Sequence, residues 1–173
     1  TQIGFYRDKS NDLVNIECCN IQSPVHEAVI GTLRNFMDEK RIEAYDERRK
    51  KGLIRNITIR SAVGTGQVMV VLSINGKEVP HIDELISHLE EAVYDVPIYD
   101  DGPFKDVEFY LASLVLNIFS PNDKGKYGDK NVQVFGSNRI KEEIVRKVFF
   151  DKSQEEMETY LHKKFEEFRS EER

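Results

Sequence analysis

The chain has 173 residues and a mass of 20.1 kDa, which predicts one domain with enough chain to bury a sizeable core. Hydrophobic residues at 39%, aromatics at 10% and charged residues at 32%, with a mean hydropathy of -0.52, exclude disordered and collagen-like classes. A net charge of -6 and a pI near 5.3 exclude a basic nucleic-acid wrapper of the histone type.

No run approaches the roughly 18 apolar residues of a membrane span, and Thr1-Gln2-Ile3-Gly4-Phe5 lacks the basic start of a secretory leader. The expectation is a cytoplasmic protein with no membrane partner. Cys18 and Cys19 are adjacent and make no disulfide framework, which fits a reducing compartment.

Gly4–Arg7 and Asp12–Glu17 are β-rich runs separated by the turn formers Asp8-Lys9-Ser10-Asn11, which predicts a hairpin. A helix follows, with Ser23 as N-cap, Pro24 at its first position, and Val25, Val29, Ile30, Leu33, Phe36 and Met37 on one stripe.

Between Arg34 and Arg55 lies a connector with eight cations against five acids; from Asp151 onward the balance reverses, with eight acids against five cations. One end of the molecule is suited to face an anion and the other is not.

Asn56-Ile57-Thr58-Ile59-Arg60 alternates, with Ile57 and Ile59 sharing a face. Gly64-Thr65-Gly66 turns the chain into the apolar inner strand Gln67–Ile74. A second helix carries Ile82, Leu85, Ile86, Leu89 and Val93 on one side and ends before Pro97.

Val107–Phe119 reads as a long strand with Val132–Phe135 as its neighbour, and Val148–Phe150 as a last short strand. Ser153-Gln154-Glu155-Glu156 is a capping-box pattern that opens a helix bearing Met157, Leu161, Phe165 and Phe168. The order predicts an α+β fold: a mainly antiparallel sheet built from hairpins, with helices packed on one face. The domain is expected over 1–150, with 151–173 as an appended amphipathic helix.

Gly64-Thr65-Gly66 does not open a helix and reads as a hairpin turn in preference to a phosphate cradle; Gly125-Lys126-Tyr127-Gly128 lacks the ending of a P-loop. His26, His81, His88 and His162 have no metal-ligand spacing, and no catalytic pair of acids stands out. The connector with Arg55 and Arg60 is the most suggestive feature, since phosphate binding needs Arg and Lys gathered on one surface. A solvated linker has the same composition, and the residues alone leave both readings open.

Ordered through the first 145 residues are Ile3-Gly4-Phe5-Tyr6-Arg7, Ser10 with Leu13-Val14 and Ile16, Cys19-Asn20-Ile21-Gln22, Tyr45-Asp46-Glu47, Gly52-Leu53-Ile54-Arg55, Ile59-Arg60, Thr65 to Val70, Asn117-Ile118, and Gly136 with Ile140 and Glu143. This ordered set resembles the central domain of the RNA (uracil-5-)-methyltransferase family, which methylates C5 of uridines in tRNA or ribosomal RNA with S-adenosylmethionine. Asn11 and Asn56 stand where the family usually has His.

The resemblance implies a substrate-positioning, RNA-binding part of such an enzyme, acting on tRNA or ribosomal RNA. Arg7, Arg48, Arg49, Lys50, Lys51, Arg55 and Arg60 are its candidate contacts. It implies Cys19 as one of four ligands to a 4Fe–4S cluster, but only in a longer protein whose other three cysteines precede Thr1. In the family a cysteine thiolate attacks C6 of the uracil and an acidic residue removes the C5 proton.

The segment that contacts the target base is replaced here by Phe150-Asp151-Lys152-Ser153-Gln154, and neither a Gly-rich cofactor loop nor an Asn-Pro-Pro-Arg stretch is found. This chain alone is therefore expected to be inactive, with no catalytic residue and no cofactor of its own. The alternative is a non-catalytic protein-interaction or oligomerisation module, its acidic C-terminal helix packing on a partner or on another copy of the chain.

Overall fold

Apolar alternation and helical stripes fold much as their spacing predicts across residues 1–8, 10, 12–16, 18–19, 22–120, 125 and 127–143, which the computed structural model describes. The strand expected at Val148–Phe150 and the C-terminal helix lie outside these residues. All but Glu143 belong to one compact unit, Thr1–Glu142.

The chain opens with β1 (Gly4–Tyr6) and β2 (Leu13–Asn15), an antiparallel pair in which Phe5 faces Val14 and Tyr6 faces Leu13. This hairpin forms a sheet of its own. It is tied to the rest where Arg34 donates to the Ile16 carbonyl at 2.7 Å.

Helix α1 (Pro24–Glu39) starts at the expected proline, whose fixed φ suits a first turn. Val25, Val29, Leu33, Phe36 and Met37 are buried along it, while Ile30 is only half-buried. Ser23 has the extended backbone of an N-cap, but its hydroxyl makes no capping bond and is buried without a partner among the described residues. Position and backbone were legible there; the side chain's role was not.

Strands β3 (Ile54–Ala62), β4 (Gln67–Ile74), β5 (Tyr110–Ile118) and β6 (Lys130–Gly136) lie in that order in a four-stranded sheet. Helix α2 (Ile82–Tyr94) returns the chain from β4 so that β5 pairs parallel to it, while β3–β4 and β5–β6 are antiparallel. A crossover helix is what a parallel neighbour requires. The architecture is α+β, and its larger sheet is mixed.

Strand β5 is shorter than the expected Val107–Phe119, although Val107 and Phe109 are buried ahead of it. Val68, Val70, Leu72 and Ile74 face Leu114 and Leu116 of β5 and share one core with the apolar stripes of α1 and α2. Lys40 joins the two helices through Glu84 at 2.6 Å.

The opposite face of the sheet is mixed in character. Thr58 and Arg60 of β3 pair with Val71 and Met69 of β4, and Ser73, Ser113, Val115 and Asn117 continue the row. Asn117 organises it: its amide nitrogen donates to the Gly128 carbonyl and to Asn131 Oδ1, both at 2.8 Å, and its oxygen accepts the Gly128 N–H at 2.8 Å. This pins the chain between β5 and β6 across the face.

Candidate nucleic-acid interface

The basic connector is folded. Asp46 and Lys51 pair antiparallel, the Asp46 N–H donating to the Lys51 carbonyl at 2.7 Å, and residues 47–50 form the turn between them. Asp46 supplies the lock: Oδ1 accepts the N–H groups of Arg48 and Arg49 at 2.8 and 2.9 Å, and Oδ2 accepts Arg49 Nε at 2.9 Å.

An aspartate bonding to amides two and three residues ahead is the local turn chemistry that type favours. Those amides and the Arg49 guanidinium hold the Asp46 carboxyl below its usual pKa. Lys50 takes a left-handed conformation at φ 56°. Gly52 follows at φ 103°, where a Cβ would run into the Ala44 carbonyl.

The result is four consecutive cations, Arg48, Arg49, Lys50 and Lys51, all exposed at a fixed turn. Arg49 pairs with Asp46 and Lys50 with Glu47 at 3.4 Å, whereas Arg48 and Lys51 form no ion pair among the described residues.

Arg55 lies beneath this turn. Its side chain is only 14% exposed, Nε donates to Glu47 Oε1 at 2.6 Å, and Nη1 donates to the Gly125 carbonyl at 2.8 Å. The guanidinium stacks 4.0 Å from the centre of the Phe119 ring. A planar cation with forked donors suits that position, and a lysine would not. Arg55 braces the turn from below and faces inward.

Arg60 is exposed, two residues beyond Thr58, whose hydroxyl lies 2.9 Å from the phenol of Tyr127. Tyr127 is half-exposed. Arg7 is exposed but sits on the separate first hairpin, beside the exposed aromatics Phe5 and Tyr6. The fold therefore gathers Arg48 to Lys51 over Arg55, places Arg60 on the sheet face, and leaves Arg7 apart.

Sequence reasoning missed Asp46, Glu47 and Tyr127 as parts of this surface. Asp46 carried a signal, an aspartate two and three residues ahead of cations it could cap with a glycine soon after. Tyr127 carried none, because Asn117 brings it in from a distant loop.

Cys18 is exposed and Cys19 half-buried, and both are free thiols. Among the described residues no three His, Cys, Asp or Glu side chains converge as a metal site, and two thiols fall short of the four a 4Fe–4S cluster takes. Gly64–Gly66 joins two antiparallel strands and opens no helix. No helix among them is long and apolar enough to cross a membrane.

Comparison with known proteins agrees with the resemblance read from the motifs. An uncharacterized RNA methyltransferase of Caldanaerobacter subterraneus is 33% identical over 148 residues, 86% of this chain and 29% of its own length. This chain is similar to one part of that protein. Similar proteins of the same description from Clostridium tetani and Clostridium acetobutylicum are each 29% identical, over 80% and 83% of the chain.

The chain thus spans under a third of the relatives it matches. A crystal structure of Pyrococcus abyssi tRNA (uracil-54, C5)-methyltransferase with S-adenosyl-L-homocysteine shares the fold at a TM-score of 0.56 and 18% identity, over 80% of this chain and 29% of that one. No family model matches.

Proposed function

We propose that these residues form the RNA-holding, substrate-positioning part of an RNA (uracil-5-)-methyltransferase, and that the turn Asp46–Lys51 is its main phosphate contact. The observation that carries this reading is the run of four exposed cations on a turn locked by Asp46, with Arg48 and Lys51 unpaired among the described residues. Clustered Arg and Lys on one rigid surface exchange condensed counterions for phosphate contacts.

Arg60 and the half-exposed Tyr127 extend the surface along the sheet face, where a cation and an aromatic ring suit a backbone phosphate and a neighbouring base. Arg7, with Phe5 and Tyr6, is a second and separate contact of the same kind. Arg55 serves by position, holding Glu47 and the Gly125 carbonyl so that the turn keeps its shape.

In a whole enzyme of this kind S-adenosylmethionine supplies the methyl group, and Cys19 is at most one of four cluster ligands. Nothing among the described residues attacks or deprotonates a uracil, so their part is binding and orientation. Substrate, whether tRNA or ribosomal RNA, and a cytoplasmic setting belong to this reading as well.

The test is binding to structured tRNA and ribosomal RNA fragments at two salt concentrations. Binding that weakens steeply with salt, and is lost when Arg48, Arg49, Lys50 and Lys51 become Ala, supports the proposal. No binding at low salt overturns it.

A further inference from the structure

The turn between β3 and β4 already holds an anion. The N–H groups of Thr65 and Gly66 close back on the Ala62 carbonyl at 3.3 and 2.8 Å. The N–H groups of Val63 and Gly64 are instead both taken by the carboxylate of Glu142: Oε2 accepts from Val63 at 2.9 Å and Oε1 from Gly64 at 2.7 Å. One oxyanion on two successive amides is the arrangement by which backbone concavities bind phosphate.

The neighbouring contacts seat the rest of the segment. Thr65 Oγ1 donates to the Lys141 carbonyl, and the Lys141 N–H donates to Gln67 Oε1 at 2.8 Å. Two exposed cations are close in sequence to the amide pair and its carboxylate: Arg60 on β3, three residues before Val63, and Lys141, next to Glu142. Glu142 thus occupies, as a tethered carboxylate, two backbone donors that the oxygens of another anion can also use.

We propose that the amide pair of Val63 and Gly64 is an oxyanion site for an RNA phosphodiester, with Glu142 as its built-in competitor. Docking RNA exchanges one anion for another on the same two donors and frees residues 141–142 from the turn. Neither amide loses a hydrogen bond in the exchange. The tether gives Glu142 a high effective concentration, so a small free phosphate does not displace it, whereas a polyanion held by Arg60 and by the 48–51 turn does. The inference rests on the RNA reading above and deepens it.

The test follows the Val63 and Gly64 amide signals by NMR in the full chain and in Glu142→Ala, with inorganic phosphate and with a tRNA fragment as separate probes. Phosphate is expected to move both signals only in the variant. RNA is expected to move them in both proteins, binding the variant about 3- to 10-fold more tightly because no tethered competitor is left. Glu142→Gln, which keeps one acceptor oxygen and replaces the other by an NH2 that cannot accept from an amide, is expected to respond to phosphate at higher concentration than the Ala variant and serves where the Ala variant loosens the turn.

Signals in the variant that ignore both probes overturn the site. Signals that respond to phosphate and ignore RNA, while the 48–51 amides respond to RNA, overturn the ligand assignment and leave the RNA function standing. If the 48–51 amides also ignore RNA, the RNA function itself falls, and this inference with it.

Discussion

Two turns of this chain close on a carboxylate, and they reach it over very different distances. In the turn at 47–50 the carboxylate is Asp46, bonded to amides two and three residues ahead. In the turn at 63–66 it is Glu142, which comes 78 and 79 residues along the chain to bond the amides of Gly64 and Val63. The near lock is part of its own turn and holds whenever that turn forms. The far lock forms only once β3, β4 and the segment that follows β6 have folded together.

The sharpest way to break this contrast is to strip the near turn of its charge. Changing Arg48, Arg49, Lys50 and Lys51 together to Ala is expected to lower RNA affinity about 100-fold at low salt and to reduce the salt slope by about 3, read from binding isotherms at several ionic strengths. Unchanged affinity would move the RNA contact elsewhere on the molecule.

What could be read in advance divides along the same line. The helix from Pro24, the hairpin at Gly64–Gly66 and the inner strand Gln67–Ile74 were legible because proline geometry, turn residues and apolar spacing act over a few positions. The parallel pairing of β4 with β5 was not, since it depends on how α2 packs across the sheet. Arg55 shows the limit for a site: it reads as an available cation, yet Glu47, Gly125 and Phe119 surround it. Glu142 had no local signal of any kind.

Gly52→Ala tests how firmly the near turn is held. With φ at 103° and the Ala44 carbonyl in the way, the change is expected to cost about 1–3 kcal/mol and to lower the melting temperature by about 3–10 °C in calorimetry. A variant as stable as the parent would mean that the turn relaxes without strain.

Arg55→Lys separates bracing from binding. Loss of the stacked, forked guanidinium is expected to cost about 1 kcal/mol of stability while leaving the salt dependence of RNA binding unchanged. A slope reduced by nearly one would make Arg55 a phosphate contact instead.

The smallest effect concerns pH. His26 Nε2 lies 3.2 Å from Ser61 Oγ, next to the base of the far turn, and burial lowers its pKa below 6.5. The unfolded chain therefore binds a proton more readily than the folded one, and stability that is full above pH 6.5 declines as pH falls from there toward the folded value. Asp46, lowered by its amide bonds, keeps its contribution until pH falls below 3.8. Melting curves between pH 7.5 and about 5 should accordingly be flatter for His26→Gln than for the parent; equal slopes would show that His26 does not report on this part of the fold.

Among the described residues the first hairpin is the smaller of the two sheets. Two three-residue strands form a sheet of their own, with Phe5, Tyr6, Leu13 and Val14 all exposed, and a two-stranded ribbon gains little stability by itself. Its amides should therefore exchange with solvent by local opening, well before those of β4 and β5, whose exchange waits for global unfolding. The aromatic pair beside Arg7 thus sits on a small two-stranded ribbon, and ordering that ribbon would be part of the cost of anything that binds it.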